Sequence, residues 1–80
     1  MMKPEINTDV DKRLYEKLEP IAKTSNSPED FMFGTFVFMN DQEKRKKLLD
    51  YIIEYDITDE QDVTELVMCI HDGEEPEFEE

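Results

Sequence analysis

The 80-residue chain has one cysteine, one histidine, two glycines and no tryptophan. Each scarcity excludes something. A single cysteine, Cys69, cannot close an internal disulfide, and such usage fits a reducing compartment. Two glycines, Gly34 and Gly73, are too few for the glycine-rich loops that cradle phosphate groups. One histidine, His71, and one cysteine fall short of a zinc ligand set with recognisable spacing. On one helix these two side chains would also point about 200° apart, so they do not make a nucleophile and its base. The acidic stretch DITDEQDVTELV lacks the central glycine of a calcium loop. No metal or other cofactor is expected, and catalysis is not expected.

Long hydrophobic runs are also missing. The longest uncharged stretch of apolar character is Phe31 to Met39, nine residues, against the roughly 20 that a membrane span needs. The start, MMKPEINTDVDK, carries no apolar segment of the signal-peptide kind, so a cytoplasmic location is expected. With 38% hydrophobic residues, residues 1–73 are expected to form a single small domain with one modest core.

Positive charge is absent from the last third. Residues 1–47 hold all nine Lys and Arg together with nine Asp and Glu, whereas residues 48–80 hold thirteen Asp and Glu and no Lys or Arg. The net charge of −13 therefore sits entirely in the second segment. Phosphate contacts need cations, so direct nucleic-acid binding by that segment is not expected.

What is present is helix punctuation. Four capping signals each precede an amphipathic run, which predicts an all-α four-helix domain with helices over about 9–20, 28–39, 41–55 and 59–72. In the first, Val10, Leu14, Leu18, Ile21 and Ala22 share one arc, with Tyr15 at its edge; Pro20 is expected to stop or kink the helix near Glu19. In the second, Ser27 as cap, Pro28 at the first position and acids in the first turn make a strong helix start. Asn40 with Glu43, and Thr58 with Gln61, read as the caps of the third and fourth helices. The fourth carries the cleanest stripe, Val63, Leu66, Val67 and Ile70, and ends at Gly73, a natural left-handed C-terminal residue. Residues 74–80, EEPEFEE with its leading glutamates, read as a disordered acidic tail.

The run FMFGTFVFM raises the main functional question. As a strand it would be apolar on both faces and would need two neighbours that the sequence does not supply. As a helix it is apolar all round and must be covered on nearly every side. The third helix also has a wide apolar arc, of roughly 200°. Surplus apolar surface on two helices points to self-association, as a dimer, or to a partner groove, with Phe33, Phe36, Leu49 and Ile53 as the contact candidates.

The leading expectation is thus a non-enzymatic, acidic, helical protein-interaction module that self-associates. A different class follows from the charge: Asp59, Glu60, Asp62 and Glu65 could imitate a phosphate track and block a basic DNA- or RNA-binding protein. A further alternative is a small regulator that binds nucleic acid through the one basic cluster, EKRKK, using Lys44 to Lys47. The plainer reading of that cluster is a solvated helix face paired with the acidic fourth helix.

Overall fold

The computed structural model describes residues 6–76. Four helices follow in order: α1 Asp9–Ala22, α2 Pro28–Phe38, α3 Gln42–Glu54 and α4 Glu60–Asp72. Among the described residues there is no strand, and no helix is long and apolar enough to cross a membrane.

α1 begins where Thr8 Oγ1 accepts the Asp11 backbone N–H at 3.1 Å. It runs through Pro20 to Ala22 rather than stopping at Glu19. Pro20 and Glu16 are both exposed. The Glu16 carbonyl that proline leaves without a donor can therefore bond to water, which limits the usual interior penalty.

The caps of α3 and α4 shift from their expected residues, while α2 keeps Ser27 as its cap residue. Ser27 makes no side-chain cap; the α2 start relies on Pro28 and on Glu29 and Asp30 in the first turn. Asp41, not Asn40, caps α3, with Oδ1 accepting the Lys44 N–H at 2.8 Å. Asp59, not Thr58, caps α4 and accepts the Gln61 N–H at 3.2 Å. In both cases an aspartate lies one residue after the expected cap. A carboxylate carries a full charge to the positive end of the helix dipole, which a neutral Asn or Thr does not.

Two helix ends close in the same way. After α4, Gly73 has φ of 77°, its N–H donates to Ile70 O at 3.2 Å, and the Glu74 N–H donates to Cys69 O at 2.8 Å. After α3 the left-handed residue is Asp56, with φ of 51°. The Asp56 N–H donates to Ile53 O at 3.3 Å and the Ile57 N–H to Ile52 O at 3.0 Å. Ile57 is buried, which supplies the hydrophobic contact that accompanies this closure. A side chain at that φ is strained where glycine is not. Asp56→Gly is expected to raise stability by about 0.5–1 kcal/mol, read as a higher urea midpoint with an unchanged slope.

Of the expected tail, residues 74–80, the structure describes residues 74–76. Glu74 is held by the closing hydrogen bond, and Pro76 is half-buried beside Met68 and Cys69. Residues 77–80, the rest of that expectation, lie outside the described residues.

α1 packs on α2 and α3, and α4 packs on α3 and α2. α2 and α3, although joined by a short turn, are not principal neighbours. α1 and α3 run side by side in the same sense. Asp11 near the start of one meets Gln42 and Arg45 near the start of the other, and Ile21 at the far end shares a groove with Ile52 and Ile53. Between the four helices lies one core built from Leu14, Leu18, Phe36, Leu48, Leu66 and Val63 with their neighbours.

Candidate interaction surface

The basic cluster is not wholly a free surface, although Lys46 and Lys47 are exposed. Its one arginine turns inward. Arg45 Nη1 pairs with Asp11 Oδ1 at 3.0 Å, and Asp11 has no solvent exposure. Arg45 Nε donates to Met39 O at 2.7 Å and Nη2 to Phe36 O at 3.3 Å, which satisfies carbonyls at the C-terminal end of α2. The guanidinium also lies 4.9 Å from the centre of the Phe36 ring. One side chain of α3 thereby ties α1 and α2 to it at one end of the bundle, where α2 and α3 have little packing of their own.

The Asp11 carboxylate is fully satisfied. It accepts from the Asn7 backbone N–H at 3.0 Å, Gln42 Nε2 at 3.1 Å and Arg45. Thr8 Oγ1 in turn donates to Gln42 Oε1 at 2.8 Å. Burial pushes the Asp11 carboxyl up, but the Asn7, Gln42 and Arg45 hydrogen bonds and the guanidinium charge outweigh it and hold the group below its usual value. A depressed folded-state pKa contributes stability that is present above the unfolded value, about 3.9, and is lost as pH falls through the lower folded value. The stability gap between wild type and Asp11→Asn is therefore expected to be constant near neutrality and to shrink below about pH 4. Urea unfolding of both proteins across that range checks it.

Two of the three lysines are occupied locally, while Lys47 is exposed. Lys44 Nζ donates to Asn40 Oδ1 at 3.3 Å, and Lys46 pairs with Asp50 at 3.0 Å on the same helix. Among the described residues no Lys or Arg forms an ion pair with an acid of α4. The expected pairing of the cluster with α4 is therefore absent there, and α4's acids keep their charge unneutralised by the chain.

The apolar run is a helix covered on one side only. Met32, Thr35, Phe36 and the following Met39 are buried, at helical spacing. Thr35 hides its hydroxyl by donating to Phe31 O at 2.8 Å. The opposite face is open: Val37 is 54% exposed and Phe38 44%. Gly34, one turn earlier on that face, has empty space where a side chain would stand.

The four contact candidates divide accordingly. Phe36 and Leu49 are core residues of the single chain and offer no surface. Phe36 packs edge-on against Tyr15, with ring centres 6.5 Å apart, and sits under Arg45. Leu49 shares the buried face of α3 with Leu48 and Ile52. Phe33 is half-buried on the outer side of α2. Ile53 is 56% exposed, but it lines a separate groove with Pro20 and Ile21 rather than joining α2.

Four surface residues, Val37, Phe38, Met68 and His71, were not among the candidates. Phe38 meets His71 of α4 edge-on, with ring centres 5.4 Å apart. Met68, three residues before His71 and hence its neighbour on the helix face, is 47% exposed. Val37, Phe38, His71 and Met68 thus form one strip across the C-terminal halves of α2 and α4. Met68 had a sequence signal: it is a large apolar residue off the Val63, Leu66, Val67 and Ile70 stripe.

The acids near the strip differ from the expected set. Asp59 is engaged as a cap, while Glu60 and Asp62 are half-buried in the first turn. Only Glu65 of the four reaches the strip's surroundings, sharing a shallow groove with Met68, Glu74 and Glu75. Tyr51 reports the same arrangement from α3. Its phenol is pushed above its ordinary value by burial first, and then by the negative charge of Glu75 and other neighbours. Cys69 is half-buried in that groove. Among the described residues no group of three or more His, Cys, Asp and Glu could hold a metal ion.

Compared with protein-family profiles, curated proteins and solved structures, the chain matches none.

Proposed function

We propose that the chain is a non-enzymatic protein-interaction module that works through the exposed apolar strip of α2 and α4. The observation that carries this reading is the uncovered outer face of α2, where Val37 and Phe38 stand in water beside an otherwise satisfied core. The test is affinity capture from the native host with two baits, wild type and a Val37→Glu/Phe38→Glu variant. Proteins held by the wild type are expected to be lost from the variant, with helical content unchanged. Capture of the same set by both baits contradicts the reading.

Self-association is one form of this activity. The open space above Gly34 favours it, because a second helix could approach the backbone closely there. Solution mass measured with wild type and the double variant tests it: a wild-type dimer reduced to monomer supports a homodimer through α2.

The mimicry of nucleic acid is the second reading, supported by the unneutralised acids of α4. Replacing Asp59, Glu60, Asp62 and Glu65 by their amides is expected, on this reading, to abolish capture of basic nucleic-acid-binding proteins. Unchanged capture dismisses it. Binding of nucleic acid through Lys44 to Lys47 has less support, since Arg45 and Lys46 are already paired.

A further inference from the structure

We infer that the strip receives a cationic amphipathic helix of a partner protein, its apolar face on Val37, Phe38 and Met68 and its Lys or Arg side chains against Glu65, Asp72, Glu74 and Glu75. This rests on the interaction-module reading and adds the chemistry of the partner.

The shape of the strip suits a helix. Gly34 leaves a low floor on the outer face of α2, with Val37 and Phe38 rising one turn later. Phe38 meets His71 of α4 edge-on, and Met68 stands three residues before His71 on the same helix face. The result is an elongated apolar track rather than a closed cavity. No sheet edge exists among the described residues to accept a strand. An apolar track flanked by charge takes an amphipathic helix. α2 itself, at 11 residues, is about 16 Å long, so about three turns of a partner would lie along it. A contact of this size falls in the small, transient class of interface, with dissociation constants on the micromolar scale.

Charge selects the occupant. Between residues 48 and 76 there is no Lys or Arg. Glu65, Glu74 and Glu75 line the groove that holds Met68. Asp72 stands four residues after Met68, on the same helix face. The chain's own ion pairs, among the described residues, are spent on Asp11 and Asp50 and leave these acids uncompensated. A second copy would bring the same acids to the same rim and add another net charge of −13. An anionic membrane or nucleic acid would be repelled likewise. A partner with an apolar face and cationic flanks meets both features at once.

The test uses the full chain and three synthetic peptides of about five helical turns. One carries Leu along one face and Lys on the other. The second has the same Leu pattern with Glu in place of Lys. The third has the Leu and Lys composition scrambled so that no apolar face exists. Binding is measured by calorimetry at about 50 and about 300 mM salt, roughly two-fold apart in screening length. The patterned Lys peptide is expected to bind about 10-fold or more tighter than either control, and to weaken several-fold at the higher salt. Phe38→Glu or Met68→Glu is expected to cost about 10-fold or more in affinity with the thermal midpoint nearly unchanged. The quadruple variant Glu65→Gln, Asp72→Asn, Glu74→Gln, Glu75→Gln is expected to remove most of the salt dependence.

Each contrary result overturns a different part. Equal binding of the Glu peptide removes the cationic requirement but keeps the module. Equal binding of the scrambled peptide means charge alone attracts, and the apolar track is not a docking site. A wild-type dimer that Phe38→Glu dissociates, with no peptide bound, gives the face to a second copy. No peptide binding and no self-association, with captured proteins unaffected by Phe38→Glu, overturns both the inference and the function it rests on.

Discussion

Arg45→Met is expected to destabilise the protein by about 3–5 kcal/mol, the range seen when one partner of a buried ion pair is removed. The substitution keeps length and apolar volume but takes the guanidinium away from Asp11, which has no solvent exposure. It also removes the donors to Met39 O and Phe36 O. The carboxylate would retain only the Asn7 and Gln42 hydrogen bonds. Small domains have total stabilities of only about 5–15 kcal/mol, so a sizeable unfolded fraction is expected. Arg45→Lys should fall between, because a point charge cannot reproduce three separate donor directions. The double variant Asp11→Leu/Arg45→Met should recover much of the loss, since an apolar pair removes the stranded charge. Urea unfolding followed by far-UV circular dichroism measures all three. A loss below about 1 kcal/mol for Arg45→Met would mean that the pair behaves as a solvated surface bridge.

The adjacent positions Phe36 and Val37 are expected to differ by several kcal/mol. Phe36→Ala should cost about 3–5 kcal/mol, because its ring fills the core between Tyr15 and Arg45. Val37→Ala should stay within about 0.5 kcal/mol, since its side chain faces water. For a chain of this size the first change lowers the thermal midpoint by on the order of 10–40 °C and the second by a few degrees at most. Similar losses at both positions would mean that the outer face of α2 is covered within the monomer, and would leave no strip to bind anything.

The helices were largely legible because their signals are local. Pro28 with two acids, Gly73 after a clean stripe, and the apolar spacing of α1 and α4 all act within a few residues. The caps moved by one residue where Asp41 and Asp59 stood next to weaker candidates. Arg45 was hidden because its partner is 34 residues away. A signal did exist. Asp11 lies on the apolar arc of α1 with Leu14 and Leu18, and Arg45 lies on the apolar arc of α3 with Leu48, Leu49 and Ile52. Opposite charges on two otherwise apolar faces imply a buried pair. Read as part of EKRKK, the arginine looked like its solvated neighbours.

The exposed apolar strip was half legible for a related reason. An all-round apolar helix in a small bundle must leave one side open, and the sequence shows that surplus. Which side is open depends on where α1 and α4 lie, which is a tertiary fact. Thus Phe36 and Leu49 went inward, Val37 and Phe38 outward, and Met68 joined them from another helix.

The proposed working surface, the strip, is separate from the elements that hold the fold. The most direct measurement is a backbone amide chemical-shift titration of the labelled chain with the patterned Leu–Lys peptide. Shifts are expected to concentrate at Gly34, Val37, Phe38, Met68 and His71, with Asp11 and Arg45 unmoved. Shifts centred on Asp59 to Asp62, or on Lys44 to Lys47, would contradict the proposal.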